Sequence, residues 1–598
     1  MNSTFNCPII GCQHYPKGTG RKFSDLTHLI RHLKGNDHNK SRHLLDHTLC
    51  NKINLYRCTH QDCRSNPNIF FPSKRALDDH NSHHHTPLCI PILDTTLYQE
   101  NHTLPYDYTP PLFYTPGNEN LTNNWNSGID FILENYNHGN IPHFRSTWRR
   151  FLTGNNKSRF YNTMATIINC ILQSHTTNNS AAFWWLLLHF EMLILAPMPK
   201  QPDQHSSVKS IIHSRLRDFQ CGNIEHLLNQ TLINTNWNNN NPRPSDRTEN
   251  MAAQLAADSD NYRTAMSRAC TFNKIATIND ANISIVNNLY PDPVPDQPHS
   301  SIHYTNIQEL HLPGDICQTI RNSKRNKGTG LLSDSIDSFI ELIKLDDNDV
   351  NQNLQRLFTL VYQGKIPTSA RHFFTDTYLF CLHKDQHDDR KLRPIGIPTA
   401  IRRIIATHVA NTWKDKFALH LLPYNYAVGV PNGMDFIIKS MQLSIEKFID
   451  QPQQHKQTPS RAAIFVDLTN MFNSVSRAEL FDIIATDFPE LTPLTSLLYT
   501  EYGDVYYKWD QRDWRSLQMK EGVNQGCPLS PIFATLVLHR VLEPLANSLK
   551  DRAQARLATG NKGDDGFGSI AHLFAYMDDI SSTVPHEDIQ FFCQELDK

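Results

Sequence analysis

Two acidic sites in this chain of 598 residues have the composition of a divalent metal centre. Asp467 ends the apolar stretch RAAIFVD, while Asp578 and Asp579 follow the apolar stretch LFAYM. In a strand, alternation places Phe465 and Asp467 on one face and the aliphatic neighbours on the other. A carboxylate at the end of an apolar strand is costly unless it meets a cation, and carboxylate oxygens suit Mg²⁺. Two such strands side by side could hold two Mg²⁺ about 3.5–4 Å apart, which suits in-line displacement at phosphorus.

A pair of adjacent aspartates does not by itself identify a metal site, because such pairs also occur at 78–79, 346–347, 388–389 and 564–565. Two further stretches would complete a site for a phosphorylated substrate. In EGVNQGCPLSPIFATLVLHRVL, residues 521–542, Gly526 and the prolines after it form a tight turn into an apolar helix, a suitable floor beneath a base pair. In HKDQHDDRKLRPIGIPTAIRRI, residues 383–404, Lys384 and Arg393 flank a turn. Lysine and arginine there suit triphosphate oxygens, although a basic hairpin with a structural role fits the same residues.

These stretches, in their order along the chain, resemble the motifs of reverse transcriptases. The matching segments are KDQHDDRKLRPIGI at 384–397, RAAIFVDLTNMFNSVSR at 461–477, EGVNQGCPLSPIFATLVLHRVL at 521–542 and LFAYMDDISS at 573–582. KGTGLLSDSIDSFIELI at 327–343 and the glycine-rich YAVGVPNGMDFIIKSM resemble two upstream motifs of that family. The resemblance covers roughly residues 300–598 and implies a right-hand polymerase with fingers and palm.

The resemblance also implies which residues catalyse the reaction. Asp467 and Asp578 would ligate two Mg²⁺, with Asp579 as a weaker or supporting ligand. The implied reaction is the transfer of deoxynucleotides from their triphosphates onto a DNA primer, with RNA as the template.

Four other residues would contact the incoming nucleotide. Lys384 and Arg393 would hold its phosphates, Gln525 would contact it, and Phe472 would block a ribose 2′-OH. Phe472 argues against an RNA-dependent RNA polymerase, in which a polar or acidic residue near this place accepts the 2′-OH. That alternative would use KGDDGFG, residues 562–568, as the metal turn, but its flanks are not apolar strands and predict a loop.

The N-terminal region carries two Cys/His units. The expected zinc ligands are Cys7, Cys12, His32 and His38 in the first unit and Cys58, Cys63, His80 and His84 in the second. A hairpin would supply two thiolates and one helical face two imidazoles, at the corners of a tetrahedron. His28 could replace His38, and His83 or His85 could replace His84. Both units resemble C2H2 zinc fingers, ββα modules whose helix can lie in the DNA major groove, but their loops after the second cysteine are longer than usual.

Charge and cysteine content fit this interpretation. The net charge is −2, yet residues 1–85 hold twelve Lys and Arg against six Asp and no Glu, which suits a polyanion-binding segment or a solvated basic face. Thirteen cysteines without a secretory signal at the N-terminus favour a reducing compartment, where paired Cys and His are zinc ligands. The most apolar stretch, residues 181–198, is interrupted by His189 and Glu191 and predicts a buried helix stopped by Pro197, not a membrane span.

The sequence predicts a multidomain α+β protein. The expected parts are tandem zinc fingers at 1–90, a linker at 91–145, a mostly helical region at 146–300 and polymerase fingers and palm at 301–598. Zinc fingers before such a polymerase resemble the layout of site-specific non-LTR retrotransposon proteins, which implies a chromosomal DNA target, an element RNA template and a nuclear location. We expect the thumb and endonuclease of that family to be missing through C-terminal truncation. The alternative function is a non-catalytic nucleic-acid-binding remnant.

Overall fold

The computed structural model comprises two units, Met1–Pro91 and Ile92–Lys598. In the second unit, residues 148–597 are described except for 176–179, 198–206, 232–274, 294–309, 326–327, 346, 385–387, 389, 450–460, 511–512 and 559–570. In the first unit, the described residues are four short strands, β1 Phe5–Asn6, β2 Lys22–Phe23, β3 Tyr56–Arg57 and β4 Phe70–Phe71. β1 pairs with β2 and β3 with β4, both antiparallel.

The described part of the second unit begins with helices packed around one very apolar segment. They are the 3-10 turn Trp148–Phe151, α1 Gly154–Ser174, α2 Ser180–Leu195 and α3 Val208–Gln220; residues 224–231 are helical as well. Every residue of α2 is buried, as expected for a helix that is hydrophobic all round. Phe190 of α2 packs against Phe160 of α1 and Phe219 of α3. The predicted buried helix is thus confirmed, and no described helix is long and apolar enough to cross a membrane.

Five helices follow in the described part of this region and join this layer to the sheets. They are α4 Ile283–Asn288, α5 Ile316–Arg321, α6 Ile336–Ile343, α7 Asn348–Tyr362 and α8 Thr368–Thr375. Glu191 of α2 accepts a hydrogen bond from Ser338 Oγ of α6 at 2.7 Å and forms an ion pair with Arg149. The rings of Trp184 and Phe374 meet edge to face with centroids 5.8 Å apart. The upstream helices therefore share a core with the elements that follow.

Two sheets contain the remaining strands. These are β5 Ile275–Ala276, β6 Thr377–His383, β7 Leu392–Ile397, β8 Arg461–Asp467, β9 Gly503–Trp509, β10 Asp513–Met519, β11 His572–Tyr576 and β12 Asp579–Pro585. The larger sheet has the order β10-β9-β6-β5, with β7 also paired to β6, and is antiparallel except where β6 meets β9. The smaller sheet has the order β11-β12-β8 and is antiparallel throughout.

Eight more helices are described in the region of these sheets. They are α9 Ala400–Thr412, α10 Lys414–Leu421, α11 Gly433–Ile449, α12 Met471–Ser474, α13 Arg477–Asp487, α14 Thr492–Tyr499, α15 Ser530–Ala558 and α16 Ile589–Leu596. The α+β class expected from the sequence is confirmed, in a mostly helical form with mixed sheets. The tandem ββα modules and the division into polymerase fingers and palm stay predictions.

Arg477, at the start of α13, connects two separate backbone segments through the hydrogen bonds of its guanidinium. Its guanidinium is 2% exposed and donates to the carbonyls of Gly522 at 2.9 Å, Tyr499 at 3.1 Å and Met519 at 3.2 Å. One planar fork thereby satisfies three backbone acceptors from two separate segments. It fixes the chain that leads into Gln525.

Candidate active site

Three antiparallel strands bring the predicted carboxylates together. In their register, Asp467 of β8 lies opposite Asp579 of β12, which in turn lies opposite Tyr576 of β11. Directly opposed residues share one face of a sheet and lie roughly 5 Å apart. Met577, with a φ of 58°, and Asp578 form the two-residue turn between β11 and β12. The turn therefore carries Asp578 to the end of the sheet at which Asp467 lies.

Side-chain alternation along β8 follows the sequence prediction. Phe465 is 71% exposed, and Asp467 is exposed on the same face. Ile464 and Val466 lie on the more buried face, where Ile580, the partner of Val466 in β12, is only 1% exposed. Burial of the aliphatic face fixes the register, since a slip by one residue would reverse every side chain. Packing of the apolar face of β8 thus keeps the carboxylate of Asp467 on the opposite, exposed face of the strand.

One cavity of about 540 Å³ gathers six of the seven residues predicted for the polymerase site. Its lining includes Lys384, Arg393, Asp467, Phe472, Gln525 and Asp578. These six residues come from four segments that are separated by as many as 194 positions along the chain. Asp579 is exposed beside Asp467 and is not part of the cavity lining. The cavity lining therefore combines carboxylates with basic side chains.

The two cations of the cavity come from the hairpin formed by β6 and β7. Arg393 lies opposite Leu382 in the register, and the backbone N–H of Lys384 donates to the carbonyl of Lys391 at 2.8 Å. Both side chains are exposed. Within the residues that the structure describes, neither side chain forms an ion pair. Two uncompensated cations that line one cavity favour an anionic ligand.

Gln525 is held by a close approach of two backbone segments. A Cβ on Gly526 would lie 1.9 Å from the carbonyl oxygen of Gly396 in β7, and one on Gly396 would lie 2.4 Å from Oδ1 of Asn524. Only glycine fits at position 526, where the obstacle is backbone, so the turn before α15 packs directly on the strand that carries Arg393. The sequence indicated the turn at Gly526, but not the partner strand that requires the glycine.

Residues 382–595 match the family described as reverse transcriptase (RNA-dependent DNA polymerase). The chain contains a reverse transcriptase domain. A domain of this family implies RNA-directed DNA polymerase activity, with a template, nucleotide substrates and divalent metal ions. No curated protein matches the chain. The resemblance seen in the sequence is thus confirmed at the level of the domain.

The carboxylates of the reverse transcriptase domain fit divalent metal ions. Burial and then the negative charges of Asp578 and Asp467 raise the pKa of Asp579. A cation between these groups would relieve that repulsion. In the described part of the chain, no three His, Cys, Asp or Glu side chains already form a metal cluster. Carboxylate oxygens suit Mg²⁺, which commonly takes one or two carboxylates and completes its shell with water and substrate phosphates.

The sequence did not reveal that Leu289 lines the cavity of the reverse transcriptase domain. This residue lies about ninety positions upstream of the family match, in a segment that was expected to belong to a helical region. Its carbonyl accepts hydrogen bonds from Asn470 Nδ2 at 3.0 Å and Asn473 Nδ2 at 2.9 Å. The only available signal was the apolar run ISIVNNLY, which indicates burial but not a partner.

The other predicted sites fall largely outside the described residues. This is so for all eight proposed zinc ligands, for the alternative ligands His28, His83 and His85, and for the doublet at 564–565. In both Cys/His units the described strands flank the cysteine pair, with Phe5 opposite Phe23 and Tyr56 opposite Phe71. The zinc sites stay predictions.

Proposed function

We propose that the chain is the RNA-directed DNA polymerase of a site-specific non-LTR retrotransposon. In this proposal residues 1–90 are tandem zinc fingers that bind the chromosomal target, 91–145 are a linker, 146–300 a mostly helical region and 301–598 the polymerase fingers and palm. A nick in the target DNA would prime the copying of the element RNA, so the chain would act in the nucleus. The resemblance of the Cys/His units and of their position before the polymerase supports this assignment.

In the proposed mechanism, Asp467 and Asp578 bind Mg²⁺ at the end of the three-stranded sheet, with Asp579 in support. When bound, the ions would lower the pKa of the attacking 3′ hydroxyl and stabilise the charge on the leaving pyrophosphate. Asp467 is fixed by strand register and Asp578 by the two-residue turn, so both carboxylates are oriented before the substrate arrives. Burial, and after it the negative charges of Asp578 and Asp467, raise the pKa of Asp579, and a cation would offset the part due to charge.

The opposite side of the cavity would hold the nucleotide. Lys384 and Arg393 bind the triphosphate, as a point charge and as a planar fork. Gln525 orients the nucleotide from the turn that packs on β7. Phe472 lies on the short helix α12, where its ring would occupy the space that a ribose 2′-OH needs. The result would be selection of deoxynucleotides by steric exclusion.

The observation that carries this proposal is the convergence of Asp467, Asp578, Lys384 and Arg393 on one cavity. Two carboxylates and two cations line the same space from different segments of the chain, and neither cation has an ion-pair partner among the described residues. Such an arrangement matches a metal-bound triphosphate in both charge and size. A single carboxylate or a single basic hairpin would not distinguish this function from a structural role.

Primer extension by the full chain tests the proposal. The assay contains an RNA template, a DNA primer, Mg²⁺ and deoxynucleotides, and compares the wild type with Asp578→Asn. We expect extension to fall by at least about 100-fold in this variant, since one of the metal-binding carboxylates is lost. The matched control is Asp435→Asn, which removes one exposed carboxylate of α11 away from the cavity lining and should extend like the wild type. Equal loss in both variants would contradict the assigned role of Asp578.

The finger assignment needs a separate measurement on the full chain. We expect two bound Zn²⁺ per chain and duplex DNA binding that is lost with chelator. Cys58→Ser should lower the zinc content by one, since a tetrahedral site with three protein ligands binds far more weakly. Zinc-dependent DNA binding without any primer extension would favour the non-catalytic remnant, while extension without bound zinc would remove the fingers from the proposal.

A further inference from the structure

Residues 275–293 lie upstream of the family match and nevertheless reach the cavity. β5 pairs with β6, and Ile278 forms a bridge with Trp509 of β9. Val286 of α4 is fully buried in a core that includes residues of β6, β7, β9 and β10. The segment is thus an integral part of the larger sheet, and its helix ends where Leu289 lines the cavity.

The carbonyl of Leu289 is the point at which this segment contacts the catalytic loop. The last carbonyls of a helix have no partner within the helix, and Leu289 lies directly after α4. Asn470 and Asn473 both donate their side-chain amides to this one oxygen, at 3.0 Å and 2.9 Å. The two asparagines bracket Phe472 in sequence, so the bonds fix both ends of the turn that carries its ring.

The opposite side of the same turn is fixed by backbone contacts. The N–H of Val523 donates to the carbonyl of Phe472 at 2.7 Å. A Cβ on Gly522 would lie 2.3 Å from the carbonyl carbon of Asn473, so the two chains touch there. Asn470 has a φ of 57°, in the left-handed region that asparagine tolerates better than most residues. The turn is therefore held between α4 on one side and the chain before Gln525 on the other.

We propose that residues 275–293 set the sugar selectivity of the polymerase by positioning Phe472 through the carbonyl of Leu289. The inference rests on the proposed role of Phe472 in excluding a 2′-OH. Asn470 and Asn473 are positioning residues, because they act through the ring between them. A turn released from Leu289 lets the ring move away and admits ribonucleotides, while the metal-binding carboxylates on β8 and the adjoining hairpin turn stay in place.

Asn470→Asp in the full chain is the variant of choice. Aspartate has the shape of asparagine and tolerates a positive φ, but it lacks the amide donor and turns a negative charge toward the carbonyl. Asn473 is only 2% exposed, so a charge there could unfold the site. Ser474→Ala is the matched control, since it removes the 3.4 Å contact from Asn470 Nδ2 to Ser474 Oγ and leaves the bond to Leu289.

The readout is the ratio of kcat/KM for a deoxynucleotide to that for the ribonucleotide of the same base. We expect the ratio to fall about tenfold in Asn470→Asp, as the loss of one partly buried hydrogen bond predicts. Ser474→Ala should keep the wild-type ratio. An equal fall in both kcat/KM values would indicate a structural role only and would overturn the inference.

Two further measurements separate this inference from the proposed function. If Phe472→Ala abolishes discrimination and Asn470→Asp does not change it, the role of Phe472 stands and the positioning role of residues 275–293 is wrong. Hydrogen exchange of the backbone amides of residues 471–475 needs no catalysis. We expect about tenfold faster exchange in Asn470→Asp than in Ser474→Ala, since one restraint of the turn is lost. Equal exchange in the two variants would overturn the inference even in a chain without polymerase activity.

Discussion

Replacement of Gly526 by alanine is a direct test of how closely the nucleotide cavity is packed. The new Cβ would lie 1.9 Å from the carbonyl oxygen of Gly396, whereas ordinary contact begins at 3.4 Å. The turn that carries Gln525 must therefore move about 1.5 Å away from β7, because both partners are backbone and neither can rotate aside. A misplacement of about 1 Å can cost roughly 100-fold in rate. We expect kcat/KM for deoxynucleotide incorporation to fall by about that factor.

Single-nucleotide primer extension measures this effect, with circular dichroism to show that the variant is folded. Gly328→Ala is the control, because the Cβ added there meets only the tip of the Ile397 side chain, at 3.1 Å, and that tip can rotate away. We expect the control to stay within about threefold of the wild type, as a flexible neighbour permits. A folded Gly526→Ala with activity equal to that of the control would refute the argument that this contact positions Gln525.

Two further predictions concern buried charges. Arg477→Lys should lower the free energy of unfolding by about 3 kcal/mol, because a single ammonium nitrogen cannot reach the three carbonyls that Nε, Nη1 and Nη2 of the guanidinium hold. An unchanged midpoint of urea unfolding would contradict this prediction. Burial raises the pKa of Asp376 to about 8, so the folded state keeps a proton that the unfolded state releases. The contribution of Asp376 to the free energy of unfolding should therefore decrease as the pH rises from about 4 to about 8, by about 2 kcal/mol between pH 6 and pH 8. Asp376→Asn should remove this dependence, and an equally steep dependence in the variant would show that another group is responsible.

The parts of the cavity that local patterns encode were predictable from the sequence. The alternation in RAAIFVD predicted that Asp467 lies on the face of β8 away from its aliphatic side chains, as it does in the structure. The turn between two strands likewise predicted that Lys384 and Arg393 belong to one hairpin. Both depend on residues within about ten positions of each other, where strand periodicity and turn residues are informative. The motif resemblance then joined segments that periodicity alone could not connect.

The contacts between distant backbone groups were not predictable. The bond from Asn473 to Leu289 spans 184 positions and ends on a main-chain oxygen, which every residue type possesses. The contact of Gly526 with Gly396 likewise depends on two backbones and not on a side-chain pattern. The sequence also could not show that Asp579 lies outside the cavity lining, although it is the strand partner of Asp467.

The complete burial of α2 also affects how the chain folds during synthesis. Trp184 and His189 pack against Phe374 and Phe373, which the ribosome adds about 180 residues later. At about 5–20 residues per second, the apolar helix waits roughly 10–40 s for these partners. Throughout that interval α1 and α3 cover only part of it. A nascent chain of this protein therefore exposes apolar surface of α2 before the reverse transcriptase domain, residues 382–595, has been made.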